Sequence, residues 1–197
     1  MAEVAIVKYN AGNIQSVIYA LERLDVQPIV TDDQKWLTSA QKVIFPGVGE
    51  ASTAMEYLRK RGLDKIIPQL KQPVLGICLG LQLMCTYSEE NDTDMLNIFP
   101  AQVKRFPDTV GKVPHMGWNQ MKVQGHPLFK GVSEEDSFYF VHSYYAENTP
   151  YTIGEGNYGR SFSAVMQKDN FYATQFHPEK SGKAGARILQ NFLNIAP

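Results

Sequence analysis

Cysteine is scarce in this chain: Cys78 and Cys85 are the two among 197 residues. They stand seven apart, which on one helix is about two turns, or roughly 10 Å, too far to bridge without distortion. That excludes a disulfide-stapled secreted framework and leads us to expect a reducing compartment, the cytoplasm. An excess of charge is missing too. With 19 basic and 20 acidic residues and a net charge of −1, no bulk field points to nucleic acid or to a membrane surface. No apolar run approaches the ~20 residues of a membrane span. The N-terminus lacks a basic region followed by an apolar stretch and a small-residue cleavage site, so no signal peptide is expected. There are four histidines, and His115, His126 and His142 do not stand at metal-ligand spacing with cysteines or acids. No metal and no cofactor is expected, and these three histidines read as structural or surface residues. Neither a repeat nor a linker interrupts the chain, which reads as one domain over residues 1–197.

What is present is an ordinary globular composition, 44% hydrophobic and 20% charged, patterned in two styles. In the first half, apolar runs fit for strands (Val4 to Tyr9, Pro28 to Thr31, Val43 to Phe45, Val74 to Ile77) alternate with helical periodicities. Ile14, Val17, Ile18, Leu21 and Leu24 share one helical face. Ala54, Met55 and Leu58 share another, stopped by Gly62. Trp36, Leu37 and Ala40 suggest a short helix, and Leu63, Ile66, Ile67 and Leu70 one more. After Ser88, short strand candidates replace helices: Ala101 to Phe106, Trp118 to Val123, Phe138 to Val141, Ser163 to Lys168 and Phe171 to Phe176. The last two are joined by an Asp169-Asn170 hairpin turn. Glu89 to Asp94 reads as polar loop, and Lys183 to Leu193 closes the chain as a helix. The expected fold class is α/β: a doubly wound, mostly parallel sheet flanked by helices, with antiparallel strands added in the C-terminal half.

The chemistry-bearing stretch is Gly76-Ile77-Cys78-Leu79-Gly80. A short apolar strand meets a helical pattern (Leu79, Leu83 and Tyr87, with Met84 beside them) at Cys78. This is G-x-C-x-G, the cysteine form of a nucleophile elbow. It places the sulfur at a helix N-terminus, where unpaired N–H groups favour negative charge. By itself the pattern serves equally as a small buried cysteine at a tight turn. A second stretch, Phe176-His177-Pro178-Glu179, decides between them. Residues i and i+2 of an extended chain face the same way, so Glu179 can lie beside His177 and orient its ring. Cys78, His177 and Glu179 together form a nucleophile, a base and an orienting acid. Cys85, in the interior of the same helix, reads as a small hydrophobe. The tetrahedral oxyanion that such chemistry creates needs two donors. Leu79 N–H, just after the nucleophile, is one. The Pro46-Gly47-Val48-Gly49 turn, through Val48 or Gly49, supplies the other.

These motifs resemble the class I (triad) glutamine amidotransferases over nearly the whole chain. Pro46-Gly47-Val48-Gly49, Pro114-His115-Met116-Gly117-Trp118-Asn119, His142-Ser143-Tyr144 and His177-Pro178-Glu179-Lys180-Ser181 narrow the likeness to glutaminase subunits of imidazole glycerol phosphate synthases. Lys8-Tyr9-Asn10 departs from the Asp-Tyr-Gly common in relatives. The resemblance implies glutamine as the substrate, with Gln82, Glu90, Ser143 and Tyr144 holding its α-amino and α-carboxylate end. It also implies a heterodimer with a (β/α)8 cyclase subunit that consumes the ammonia, with Asn13, Met116, Trp118, Tyr139 and Lys180 at or near that interface. Three alternatives stand beside it: a glutaminase serving another synthase, a free γ-glutamyl hydrolase on the same fold, and a non-catalytic module with a dead elbow. The intact Cys-His-Glu set argues against the last of these.

Overall fold

The computed structural model describes residues 3–9 and 14–196; the expected Asn10–Asn13 turn and the interface candidate Asn13 lie outside them. The first half runs β1 (Val4–Val7), α1 (Ile14–Glu22), β2 (Ile29–Thr31), α2 (Gln34–Ser39), β3 (Lys42–Gly47), α3 (Ala51–Arg61), α4 (Leu63–Ile66), β4 (Val74–Cys78) and α5 (Leu79–Leu83). After it come β5 (Tyr87–Ser88), β6 (Thr93–Asp94), β7 (Gln102–Arg105), β8 (His115–Asn119), β9 (Met121–Val123), β10 (Phe138–His142), β11 (Tyr144–Ala146), β12 (Thr152–Asn157), β13 (Ser161–Lys168), β14 (Phe171–Thr174) and α6 (Gly182–Leu193).

The main sheet has the order β2-β1-β3-β4-β14-β13-β12-β9. Its first five strands are parallel and the rest antiparallel. Alternate residues of the central strands enter different cores. Ala5, Val7, Val43, Phe45 and Val74 face one, with Leu37, Met55, Leu58 and Leu63 from α2, α3 and α4. Val4, Ile6, Ile44, Leu75 and Ile77 face the other, with Leu21, Ile188 and Phe192 from α1 and α6. Burial on both faces is why these strands read as continuous apolar runs rather than alternating ones. The mostly parallel, doubly wound sheet with an antiparallel extension matches the fold class expected from the sequence.

Several element boundaries differ from that reading. The helix after Cys78 stops at Leu83 instead of running through Tyr87. The loop 96–99 returns alongside, and its N–H groups take the carbonyls that would continue the helix: Leu96 bonds Leu83, Asn97 bonds Cys85, and Ile98 and Phe99 bond Met84. Cys85 therefore lies beyond the helix end, though it is fully buried as a small hydrophobe would be. The stretch read as polar loop at 89–94 is instead the tip and second strand of the β5–β6 hairpin. The strand expected from Trp118 to Val123 breaks at Gln120. Asn119 Oδ1 accepts the Gln120 N–H at 2.9 Å, a local side-chain bond that replaces a ladder bond there. The two halves then pair with different partners, β8 with β10 in a separate ribbon and β9 with β12 at the edge of the main sheet. A further small sheet has the order β11-β7-β5-β6.

Candidate active site

The elbow is built by close backbone approach. Cys78 caps α5 with φ 54° and ψ −106°, a left-handed φ that a side chain bearing a Cβ adopts only under strain, worth about 1–3 kcal/mol. Gly80 is required by space: a Cβ there would overlap the Phe45 carbonyl oxygen of the neighbouring strand. Parallel pairing then places what flanks the sulfur. On one side Gly47 of β3 stands in register with Cys78. On the other, Thr174 of β14 pairs with Ile77, which brings Gln175 beside the nucleophile and His177 just beyond it.

His177 is 2% exposed, and its Nδ1 lies 2.7 Å from Glu179 Oε1; the expected pairing forms, but across a 3₁₀ turn at Pro178–Lys180 rather than along extended chain. The Glu179 side chain is buried as well. Nε2 is buried without a close hydrogen-bond partner among the described residues. Burial disfavours the imidazolium, but the neighbouring Cys78 and Glu179 groups outweigh it, and the pKa of His177 is raised to about 10. A charged His177 between an acid and a thiol fits the cation of a thiolate–imidazolium pair. The His177 N–H donates to the Tyr139 carbonyl at 3.0 Å, and Ser181 Oγ donates to the His177 carbonyl at 2.6 Å, so the backbone on both sides of the ring is held.

In front of Cys78 opens a cleft of about 350 Å³ lined by Val48, Gly49, Leu79, Gln82, Glu90, Ser143 and Tyr144 together with Pro114, Val141 and His142. The structure thus gathers the oxyanion and substrate-end candidates around the sulfur from four separate parts of the chain. Gly49 has φ 117°, a conformation natural to glycine. Glu90, at the tip of the β5–β6 hairpin, accepts the Ala51 N–H at 2.8 Å. It thereby caps α3, whose own N-cap residue Glu50 makes no side-chain cap bond. Burial, partly offset by that bond, raises the Glu90 pKa. Ser143 lies at the joint where the chain leaves the ribbon strand β10 for β11, and its carbonyl accepts the Phe106 N–H. Gln82 lines the cleft, yet its amide nitrogen is engaged by the protein, donating to the Tyr144 carbonyl at 2.9 Å and to Gln175 Oε1 at 3.2 Å.

Two groups that matter here were not singled out from the sequence. Gln175 is fully buried, and its Nε2 lies 3.8 Å from Cys78 Sγ. Gln175 stands two residues before His177 in the stretch read as strand, and that period of two was the available signal. Tyr9 is buried, and its hydroxyl donates to the Pro46 carbonyl at 2.6 Å. Nothing local marks that contact, which spans 37 residues. His115 and His142, read as structural or surface residues, are both buried and hydrogen-bonded to each other, Nδ1 to Nε2, at 3.1 Å. Among the described residues no group of three or more His, Cys, Asp or Glu could hold a metal ion.

The interface candidates lie on the ribbon beside this site. Trp118 pairs with Tyr139 and Met116 with Val141. Met116 and Trp118 are each 61% exposed, and the Trp118 and Tyr139 rings meet edge to face at 6.0 Å. Lys180 is exposed next to Glu179. No helix among the described residues is long and apolar enough to cross a membrane.

Comparison with known proteins agrees with this geometry. An imidazole glycerol phosphate synthase subunit HisH from Bacteroides thetaiotaomicron is 57% identical over 195 residues, 98% of this chain and 100% of that protein. The subunit of the same name from Pasteurella multocida is 46% identical, covering 98% of each chain. Among solved structures, a putative GMP synthase component from Thermoplasma acidophilum superposes with a TM-score of 0.74 at 21% identity, covering 98% of this chain and 93% of that one. The sequence profile described as Glutamine amidotransferase class-I matches residues 5–196. A match of that extent leaves no strand of the sheet, and neither the elbow nor the ribbon, outside it: the chain belongs to the class I glutamine amidotransferase family.

Proposed function

We propose that this chain is the glutaminase subunit of an imidazole glycerol phosphate synthase, serving histidine biosynthesis in the cytoplasm. The observation that carries the chemistry is the Cys78 sulfur at the base of a cleft, backed by the buried His177–Glu179 pair at 2.7 Å. End-to-end likeness to HisH subunits narrows the reading to this synthase. The thiolate attacks the side-chain amide carbon of glutamine, and the carbonyl π electrons move to oxygen. Leu79 N–H and a donor from Val48 or Gly49 hold that oxyanion. The His177 imidazolium gives its proton to the leaving nitrogen, the C–N bond breaks, and ammonia departs, leaving a γ-glutamyl thioester. Neutral His177 then takes a proton from water as its oxygen attacks the thioester. Collapse of the second tetrahedral species releases glutamate and restores the thiolate and imidazolium. Glu179 keeps Nδ1 protonated and stabilises the cation in both halves. Gln82, Glu90, Ser143 and Tyr144 surround the space left for the amino-acid end of the substrate.

The ammonia passes to a (β/α)8 cyclase subunit. Met116, Trp118, Tyr139 and Lys180 form the docking face, with exposed aromatic and cationic groups of the kind that anchor interfaces. The Pro46–Gly49 turn serves as the switch, since reorienting one peptide there completes the oxyanion hole. A resting state lacking that donor is slower by on the order of 10²–10³. Glutamine hydrolysis should be slow in the chain alone, faster with the cyclase subunit, and fastest when the cyclase ligand is added. The Cys78→Ala complex should lose the glutamine-dependent reaction but still form product from ammonium salt. Full activity of the isolated chain would instead favour a free γ-glutamyl hydrolase, and loss of the ammonium-dependent reaction in an assembled complex would overturn the division of labour.

A further inference from the structure

We infer that Gln175 is a catalytic hydrogen-bond donor to the nucleophile: its side-chain amide, oriented by Gln82, holds the Cys78 sulfur and stabilises its thiolate. The inference rests on the reading of Cys78 as the nucleophile and adds a residue to it. Its starting point is the Tyr144 carbonyl oxygen, which can only accept. Two donors converge on it, His142 Nδ1 at 2.7 Å and Gln82 Nε2 at 2.9 Å, matching its two lone pairs. Gln82 must therefore present its NH₂ group there, and the second hydrogen of that group meets Gln175 Oε1 at 3.2 Å. With its oxygen so engaged, Gln175 turns its own NH₂ toward Cys78 Sγ at 3.8 Å. The flipped amide would set two NH₂ groups against each other and a carbonyl oxygen against the sulfur. The direction of every bond from Tyr144 to the sulfur is thus fixed by an acceptor that cannot reverse.

The opposing contact explains why a donor is useful. The Cys78 sulfur also lies 4.0 Å from the Val141 carbonyl oxygen, which suits a thiol S–H and repels a thiolate. Gln175 N–H reverses that preference, since a hydrogen bond to a charged acceptor is about twice as strong as one to a neutral acceptor. Gln175 is fully buried, so water does not compete for the bond. The pairing of Thr174 with Ile77 sets the residue level with the elbow, on the flank opposite β3.

The test is the pH profile of Cys78 alkylation by iodoacetamide in the purified full-length chain, with the labelled cysteine identified by peptide mass spectrometry. The neutral reagent reports the thiolate fraction and needs neither glutamine nor a partner. Gln175→Met keeps the length and removes the donor without adding charge; Gln175→Leu removes all polarity. Both should move the midpoint upward by about one pH unit, and Gln82→Leu, which frees the Gln175 amide to turn, should move it in the same direction by less. An unchanged midpoint in Gln175→Met, or in Gln175→Leu should the first fail to fold, overturns the role of Gln175 while leaving Cys78 as nucleophile. Alkylation of Cys85 ahead of Cys78 in the unsubstituted protein overturns the nucleophile reading itself, and this inference with it.

Discussion

Tyr9 joins two segments that the catalytic proposal treats as separate. Its hydroxyl donates to the Pro46 carbonyl at 2.6 Å, in space that a Cβ on Gly47 would fill. Burial, and after it the charge of Cys78, pushes the phenol well above its usual range, so it remains a donor at any working pH. The bond fixes the strand end from which the Val48–Gly49 turn departs. Tyr9→Phe leaves a buried carbonyl unpaired and is expected to lower stability by about 1 kcal/mol in urea denaturation. In the cyclase complex it should reduce kcat for glutamine hydrolysis more than it raises KM. That reduction should fall short of the ~10²-fold loss from deleting an oxyanion donor outright. Wild-type kcat and stability together would show that the turn does not depend on Tyr9. Glu90 has a comparable double position, lining the cleft while it caps α3.

Strand β10 is the element that ties the outer face to the chemistry. Its Tyr139 carbonyl receives the His177 N–H, its Val141 carbonyl faces the sulfur, and its His142 ring bonds Tyr144 O. Its outward residues pair with Met116 and Trp118. A partner that loads this ribbon therefore bears on three contacts of the site through one strand. Trp118→Ala removes an exposed side chain whose ring contact is with Tyr139, so the thermal midpoint should hardly move, whereas affinity for the cyclase subunit should fall by about 2 kcal/mol or more, roughly 30-fold, as for a buried aromatic anchor. Titration calorimetry with the cyclase measures this directly. An unchanged Kd would place the docking face elsewhere.

At the scale of the whole molecule, the histidines give stability a pH optimum. Burial lowers His115 to about 4. Burial, joined by the neighbouring His115 and His177 and opposed by the bond to Tyr144, lowers His142 to about 3. The hydrogen-bond directions agree with two neutral rings. His142 Nδ1–H donates to Tyr144 O, His115 Nδ1–H donates to His142 Nε2, and Asn119 donates to His115 Nε2. In the unfolded chain both titrate near about pH 6.5. As pH falls below that value the unfolded state takes up protons that the folded state refuses, and stability drops by ~1.4 kcal/mol per pH unit per histidine until the folded rings titrate. His177 has the opposite sign: raised to about 10, it contributes stability that is complete below about pH 6.5 and is lost as pH rises toward 10. Urea midpoints should therefore peak between about pH 6 and 7 and decline at both pH 5 and pH 9. A midpoint at pH 5 equal to that at pH 7 would mean the pair is not held neutral in the fold.

The alternation of strands and helices and the elbow at Cys78 were legible in the residues themselves, because each follows from a local pattern: a period of 3.6 for the helices, 2 for the extended chain, and a glycine two positions either side of the cysteine. The nearness of Glu179 to His177 was legible from their spacing, although a 3₁₀ turn at Pro178–Lys180, not extended chain, brings them together. The tertiary structure decided what depends on neighbours distant in sequence. Parallel register put Gln175 level with the sulfur across a separation of 97 residues. The returning loop 96–99 ended α5 early by occupying its carbonyls, and separate partners split the strand at Gln120. Desolvation did the rest. The sequence shows which histidines exist, but only packing determines that His115 and His142 lose their charge while His177 keeps its own, since the cost of an imidazolium is set by the water excluded and the charges left beside it.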